Sequence, residues 1–387
     1  MHRRYLYPAA AILLLALFAV PHGAATDFRM GVTYVGELGA DPWDQPYISG
    51  ERTLYYLHAA VMPSGAALGT FELREYTLNT KTESARDAFE SDSDIRMLDN
   101  GAVFAPMRDS SYYGLYWNIS DRYRRDTLLK TADGHDAYVI VYTERVGSFV
   151  QVAYFNALNG KGGTITTVAR NHADAHVSGN TVVYLQFNSD WDLAISDLSG
   201  GPSTVISGQS GNEARPLIDG TTVVFSLDVP GRTELYTYNV LTRETQLITR
   251  YAGESYALGG GHILYYDSRK GVWGVTNLSS GAFHVFSEYD LPANVPVAVS
   301  ERWACIGTSV FKLYDSPSAT IPTLPPTTVP EPSVTSPPVT TLAPPVTTPP
   351  PSGEGNGSSG LLWTAGMVLL LAGAGAAIWM YQKRREA

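Results

Sequence analysis

Asp219-Gly220-Thr221-Thr222-Val223-Val224-Phe225, then Glu234-Leu235-Tyr236-Thr237-Tyr238-Asn239, then Thr245-Gln246-Leu247-Ile248-Thr249, read as three short strands opened by a tight turn. Val, Ile, Tyr, Phe and Thr suit a pleated, half-buried surface, and Asp-Gly supplies the turn. The pattern recurs upstream as Ser178-Gly179-Asn180-Thr181-Val182-Val183-Tyr184, Asp192-Leu193-Ala194-Ile195-Ser196-Asp197-Leu198 and Ser203-Thr204-Val205-Ile206. Downstream it returns as Gly260-Gly261-His262-Ile263-Leu264-Tyr265-Tyr266, Val272-Trp273-Gly274-Val275-Thr276-Asn277-Leu278 and Phe283-His284-Val285-Phe286. Val182, Val223 and Ile263 hold equivalent places, 41 and 40 residues apart. A period of about 40–45 residues with about four strands per unit predicts an all-β fold, a β-propeller.

Fainter copies begin near Arg52, Gly101 and Ala137, with Leu54-Tyr55-Tyr56-Leu57, Val103-Phe104-Ala105 and Tyr138-Val139-Ile140-Val141 as their second strands. A last copy near Arg302 supplies Val310-Phe311-Lys312-Leu313-Tyr314 and stops without a fourth strand. At the other end, Phe28-Arg29-Met30-Gly31-Val32-Thr33-Tyr34-Val35 is strand-like and belongs to no complete unit. Pairing the two closes the ring and leaves no open blade. This predicts seven blades. Six is the alternative, with the first 50 residues as an extra structure.

Phe187-Asn188-Ser189-Asp190-Trp191-Asp192-Leu193-Ala194-Ile195-Ser196-Asp197-Leu198-Ser199-Gly200 resembles the WD40-like repeat of TolB-type propellers. Asp219-Gly220 and Leu235-Tyr236-Thr237-Tyr238-Asn239-Val240-Leu241-Thr242 fit the same pattern. The resemblance covers roughly residues 90–315; repeats before Ser91 and after Ser300 depart from it. It implies a scaffold for protein–protein contact, although a fold alone does not set function.

The two ends predict an address. Arg3 and Arg4, the apolar run Ala9 to Val20 and the small residues up to Ala25 read as a signal peptide over residues 1–25. Residues 26–315 form the ectodomain, and residues 316–360 are a Thr/Pro/Ser-rich and Gly/Ser stalk. Its 36 residues from Pro317 to Ser352 would reach about 110 Å as extended polyproline. The uncharged run 361–381 spans about 31 Å as a helix, enough to cross a bilayer. The basic tail 382–387 then stays inside, giving a single-pass cell-membrane protein with its N-terminus outside. This layout resembles archaeal and bacterial cell-surface proteins.

The chain carries 27 Lys+Arg against 37 Asp+Glu, a net charge of −10. Most residues of the presumed signal and tail that are charged are basic, so the ectodomain is more acidic still. That balance argues against a nucleic-acid partner, which needs clustered positive charge. Cys305 is the single cysteine, so no internal disulfide forms; within Trp303-Ala304-Cys305-Ile306 it reads as a small buried hydrophobe.

His172-Ala173-Asp174-Ala175-His176 is the sharpest chemical candidate. On a regular strand His172, Asp174 and His176 share a face beside the channel and could ligate a divalent cation. The plainer reading is polar channel lining, since the next repeat has Glu213-Ala214-Arg215-Pro216-Leu217 there. Glu90, Asp92 and Asp94 alternate likewise as a calcium wall, or as a solvated acidic turn. Tyr112, Tyr113, Tyr116 and Trp117 cluster in one hairpin, as a partner-binding face or as packing between blades. Sequons for N-glycosylation begin at Asn118, Asn277 and Asn356.

No His-Glu-x-x-His, Gly-x-Ser-x-Gly or phosphate-binding glycine loop occurs. The expected role is binding or adhesion to a protein or glycan of the cell envelope. The alternative is a membrane-tethered hydrolase acting on surface glycans, with carboxylates from separate blades meeting at the channel.

Overall fold

The computed structural model describes residues 29–64, 68–91, 93–106, 114–207 and 210–315. They form seven four-stranded antiparallel sheets, each a meander from the channel outward. Blade 1 runs from Tyr47–Ser49 to Thr82–Ser91, blade 2 from Arg96–Leu98 to Tyr123–Thr127, and blade 3 from Gly134–Asp136 to Gly162–Thr164. Blade 4 runs from His172–Ser178 to Thr204–Ser207, blade 5 from Asn212–Asp219 to Thr245–Thr249, and blade 6 from Ala252–Gly259 to Phe283–Val285. Blade 7 takes Val297–Val299, Trp303–Ile306 and Ser309–Asp315 from the end of the ring and its outer strand, Met30–Glu37, from the start.

That outer strand is the closure expected from the sequence. Met30 pairs with Asp315, Val32 with Leu313 and Tyr34 with Phe311, with a bulge before Gly36. Gly31 lets the Tyr314 ring lie over the strand, since a Cβ would sit 2.1 Å from that ring and the ring would have to move. Seven blades, not six, use the chain; residues 38–46 simply link blade 7 to blade 1.

The turns explain the repeat. Ser178 pairs with Thr181 and Asp219 with Thr222, so two residues make each bend. Gly179 and Gly220 both sit at φ 59°, a conformation that costs glycine nothing sterically. Blade 3 puts Ala137 at φ 52° in this place, and there the repeat fades from the sequence.

Each core cluster lies between neighbouring blades. Val183, Leu185 and Leu193 of blade 4 pack with Val223, Phe225 and Tyr238 of blade 5. Leu54 and Tyr56 of blade 1 pack with Trp303, Cys305 and Val310 of blade 7, which carries the core across the closure. Burying such a side chain contributes about 1.5–3 kcal/mol, so packing between blades holds the ring. Cys305 is fully buried, as expected, and burial pushes its thiol pKa up.

The meander defines two faces. First-to-second and third-to-fourth turns lie on one, here called lower; second-to-third hairpins and blade-to-blade links lie on the other, the upper. Met30 enters and Asp315 leaves at paired positions, both on the lower face.

Candidate functional site

The inner strands fall into two kinds. Those of blades 4, 5 and 6 have 7, 8 and 8 residues, whereas those of blades 1, 2, 3 and 7 have three each. All three long strands carry a register shift, between Ala173 and His176, Ala214 and Leu217, and Ala252 and Tyr256. At the first two shifts Asp174 and Arg215 adopt φ 47° and 51°. These bulges turn single side chains out of the ladder, and both residues are exposed on the channel strands.

The bulge also overturns the expected metal face. His172 pairs with Gln186 and His176 with Val183, an odd offset, so the two imidazoles leave on opposite sides of the sheet. His172 is 2 % exposed; its Nδ1–H donates to the Val150 carbonyl at 3.0 Å and its ring meets the Tyr184 ring edge-on. Burial pushes its pKa down, so it is a neutral core histidine. His176 instead reaches past blade 3 and pairs with Asp99 of blade 2. Burial opposes its charged form, but Asp99, with Asp174 and Asp133 nearby, outweighs that and raises its pKa.

Glu90 is exposed on the outer strand of blade 1 and Asp94 is exposed in the link to blade 2; Asp92 lies outside the described residues. Among the described residues no group of three His, Cys, Asp or Glu side chains is placed to hold a metal ion.

The aromatic cluster divides. Tyr112 and Tyr113 lie outside the described residues, while Tyr116 and Trp117 are core, at 0 % and 6 % exposure. Their strand, Gly114–Asn118, is buried at every position because a blade is covered on both faces by its neighbours. Tyr116 bonds His135 Nε2 at 2.8 Å, and Trp117 packs on Phe89.

Two sequons begin on structural turn residues. Asn118 Oδ1 accepts the Ser120 N–H at 3.0 Å while its Nδ2 donates to Ala137 O at 2.8 Å, and the residue is buried. Asn277 Oδ1 accepts the Ser279 and Ser280 N–H groups, each at 2.9 Å. Asn156, Asp197 and Asn239 make the same bonds in other blades. The Asn-x-Ser pattern is thus a product of this turn. Asn356 lies outside the described residues.

What gathers in the channel is a set that motif reading missed. Arg96 opens the inner strand of blade 2, Asp133 precedes that of blade 3, and Asp174 and Arg215 follow on blades 4 and 5. Asp133 Oδ2 is buried without a hydrogen-bond partner, and burial, against the pull of Arg96 and His176, raises its pKa. Burial likewise raises the pKa of Asp44, although the Met97 N–H donates to it at 3.0 Å. Arg215 lies over the Tyr256 ring at 5.1 Å, and the Tyr256 hydroxyl, its pKa pushed up by burial to about 12, donates to the Ala214 carbonyl at 3.2 Å. Toward the lower face a cavity of about 220 Å³ opens between Tyr47, Glu51, Asp99, Asp219 and Ser300. The only sequence signal for this set is position: each residue lies at or near the start of an inner strand.

No family model matches the chain, and no curated protein matches it. Among solved structures it is similar to an oligogalacturonate lyase in complex with manganese, with 10 % identity, 76 % of this chain and 99 % of that one covered, and a TM-score of 0.44. It is also similar to TolB from Acinetobacter baumannii, with 14 % identity, 58 % and 65 % coverage and a TM-score of 0.35. A third is the β-propeller domain of the Trilobed protease from Pyrococcus furiosus, with 16 % identity, 56 % and 68 % coverage and a TM-score of 0.39. Lyase, TolB and protease are different roles, so at these identities the likeness concerns the propeller fold alone.

Proposed function

We propose that this chain is a membrane-anchored extracellular propeller that binds a protein or glycan of the cell envelope without turning it over. The observation that carries this is where the described ring begins and ends. Met30 and Asp315 pair on the lower face, so the upper face and its channel mouth carry neither end of the ring. The upper links and hairpins of blades 1–4 also bear exposed Val61, Met62, Leu128, Val146, Val168 and Phe187. Apolar side chains there suit a protein–protein or protein–glycan contact, although the lower face exposes Leu158 and Leu241 as well. With Tyr116 and Trp117 in the core, these residues take over the contact role first assigned to the aromatic hairpin.

The hydrolase reading keeps one supporting observation: Asp133, with its raised pKa, lies in electrostatic reach of Asp174, as an acid and its partner carboxylate would. Both readings meet in one experiment. The full chain in detergent micelles is tested against arrayed envelope glycans and purified surface-layer proteins, for retention and for product. Retention without product, weakened by Val146→Ser with Phe187→Ser, supports the binder. Product formation lost in Asp133→Asn makes the chain an enzyme instead.

A further inference from the structure

Four charged side chains lie at the inner strands of four successive blades and make no ion pair with one another. Around the ring they run Arg96, Asp133, Asp174, Arg215, that is, positive, negative, negative, positive. Among the described residues the side chains of Arg96, Asp174 and Arg215 make no hydrogen bond or ion pair, although Arg215 stacks on Tyr256; Asp133 bonds Thr143 and leaves Oδ2 buried without a partner. The neighbouring His176 and Asp99 do pair with each other, so the environment permits ion pairs where geometry favours them. A left-handed arginine costs free energy. Arg215 carries that cost, and Asp174, at the matching bulge of the adjacent blade, repeats the geometry with opposite charge. Glycine would remove the strain if the position had only to line a water channel.

We propose that this ring of charges is a recognition site for a small zwitterion, an ammonium flanked by carboxylates, of which an acidic α-amino acid is the simplest example. The ammonium sits between Asp133 and Asp174, whose blades are adjacent. One carboxylate lies on the Arg215 guanidinium, held flat by Tyr256, and a second lies toward Arg96. Each ligand charge then meets an opposite charge. The His176–Asp99 pair lies beside the site, and Asp99 also lines the lower cavity. This deepens the binding reading and rests on it, by giving the channel mouth a ligand of defined charge pattern.

Isothermal titration of the full chain in micelles with L-glutamate, glycine, N-acetyl-L-glutamate and glutarate tests it. L-Glutamate should bind, glycine at least 10-fold more weakly, and N-acetyl-L-glutamate and glutarate at least 10-fold more weakly still. Asp174→Gly and Arg215→Gly should each lose 10-fold or more in affinity. Both glycines suit the observed φ, so these variants should keep their melting temperature and separate ligand loss from misfolding. No binding of any amino acid at millimolar concentration overturns the proposal, and so does equal binding of N-acetyl-L-glutamate, which would mark a plain anion site. An envelope partner retained by the same preparation would leave the broader binding function standing while this inference fell.

Discussion

Blades 4–6 and blades 1–3 differ in the one strand that matters for a ligand. The former have long, bulged inner strands behind regular turns; the latter have three-residue inner strands and turns that break the repeat. Yet their cores are alike. Phe225 in blade 5 and Phe104 in blade 2 are both buried at 1 % exposure or less. Repeat strength in the sequence therefore tracks turn chemistry, while stability tracks packing between blades. The charged site needs both halves, since Asp174 and Arg215 come from the regular side and Arg96 and Asp133 from the degenerate one.

The largest effect should come from opening the ring where the halves are joined. Deleting residues 29–37 strips blade 7 of its outer strand and should abolish the cooperative thermal transition, a loss on the scale of a domain's whole stability, about 5–15 kcal/mol. A variant that melts like the intact chain would mean the closure is decorative. Next, Phe225→Ala and Phe104→Ala should each cost about 3–5 kcal/mol in denaturant unfolding, as should Trp117→Ala. A much smaller cost at Phe104 would show that the degenerate blades are loosely held.

Strain separates the halves on a finer scale. Arg215→Gly should gain about 0.5–1 kcal/mol by relieving a left-handed arginine, with Asp174→Gly gaining less because aspartate tolerates that region better. Smaller still is a pH effect. The His176 pKa lies above its ordinary 6.5 because of Asp99, so its contribution is full below 6.5 and fades as pH rises through the folded value. His176→Gln should therefore cost more at pH 6 than at pH 9 in thermal unfolding. His172, its pKa lowered by burial, works in the other direction and loses stability as pH falls below 6.5. A His176→Gln deficit that does not change with pH would dismiss the Asp99 pairing.

The propeller and its closure were legible because turn glycines and apolar runs recur at a fixed spacing, and because Phe28 to Val35 had no other partner. The site was not, for physical reasons. A period of two places His172 with His176, but one bulge at Asp174 reverses half the strand, and nothing in Ala-Asp-Ala announces it. Tyr116 and Trp117 allow two readings, a contact face or packing between blades, and the packing holds because a propeller blade has neither face free. Arg96 and Asp133 lie in blades whose repeats are too faint to align, so their meeting with Asp174 and Arg215 appears only once the ring is closed.

Thermal unfolding of wild type and of the Asp174→Gly/Arg215→Gly double variant, each with and without 10 mM L-glutamate, reads strain and recognition together. Bound ligand raises the melting temperature in proportion to its affinity for the folded state. The wild type should shift upward with L-glutamate, and the double variant should start at an equal or higher temperature and not shift. A wild type that does not respond, a variant that responds equally, or a variant that melts well below wild type would contradict the assignment of the bulged strands to ligand recognition.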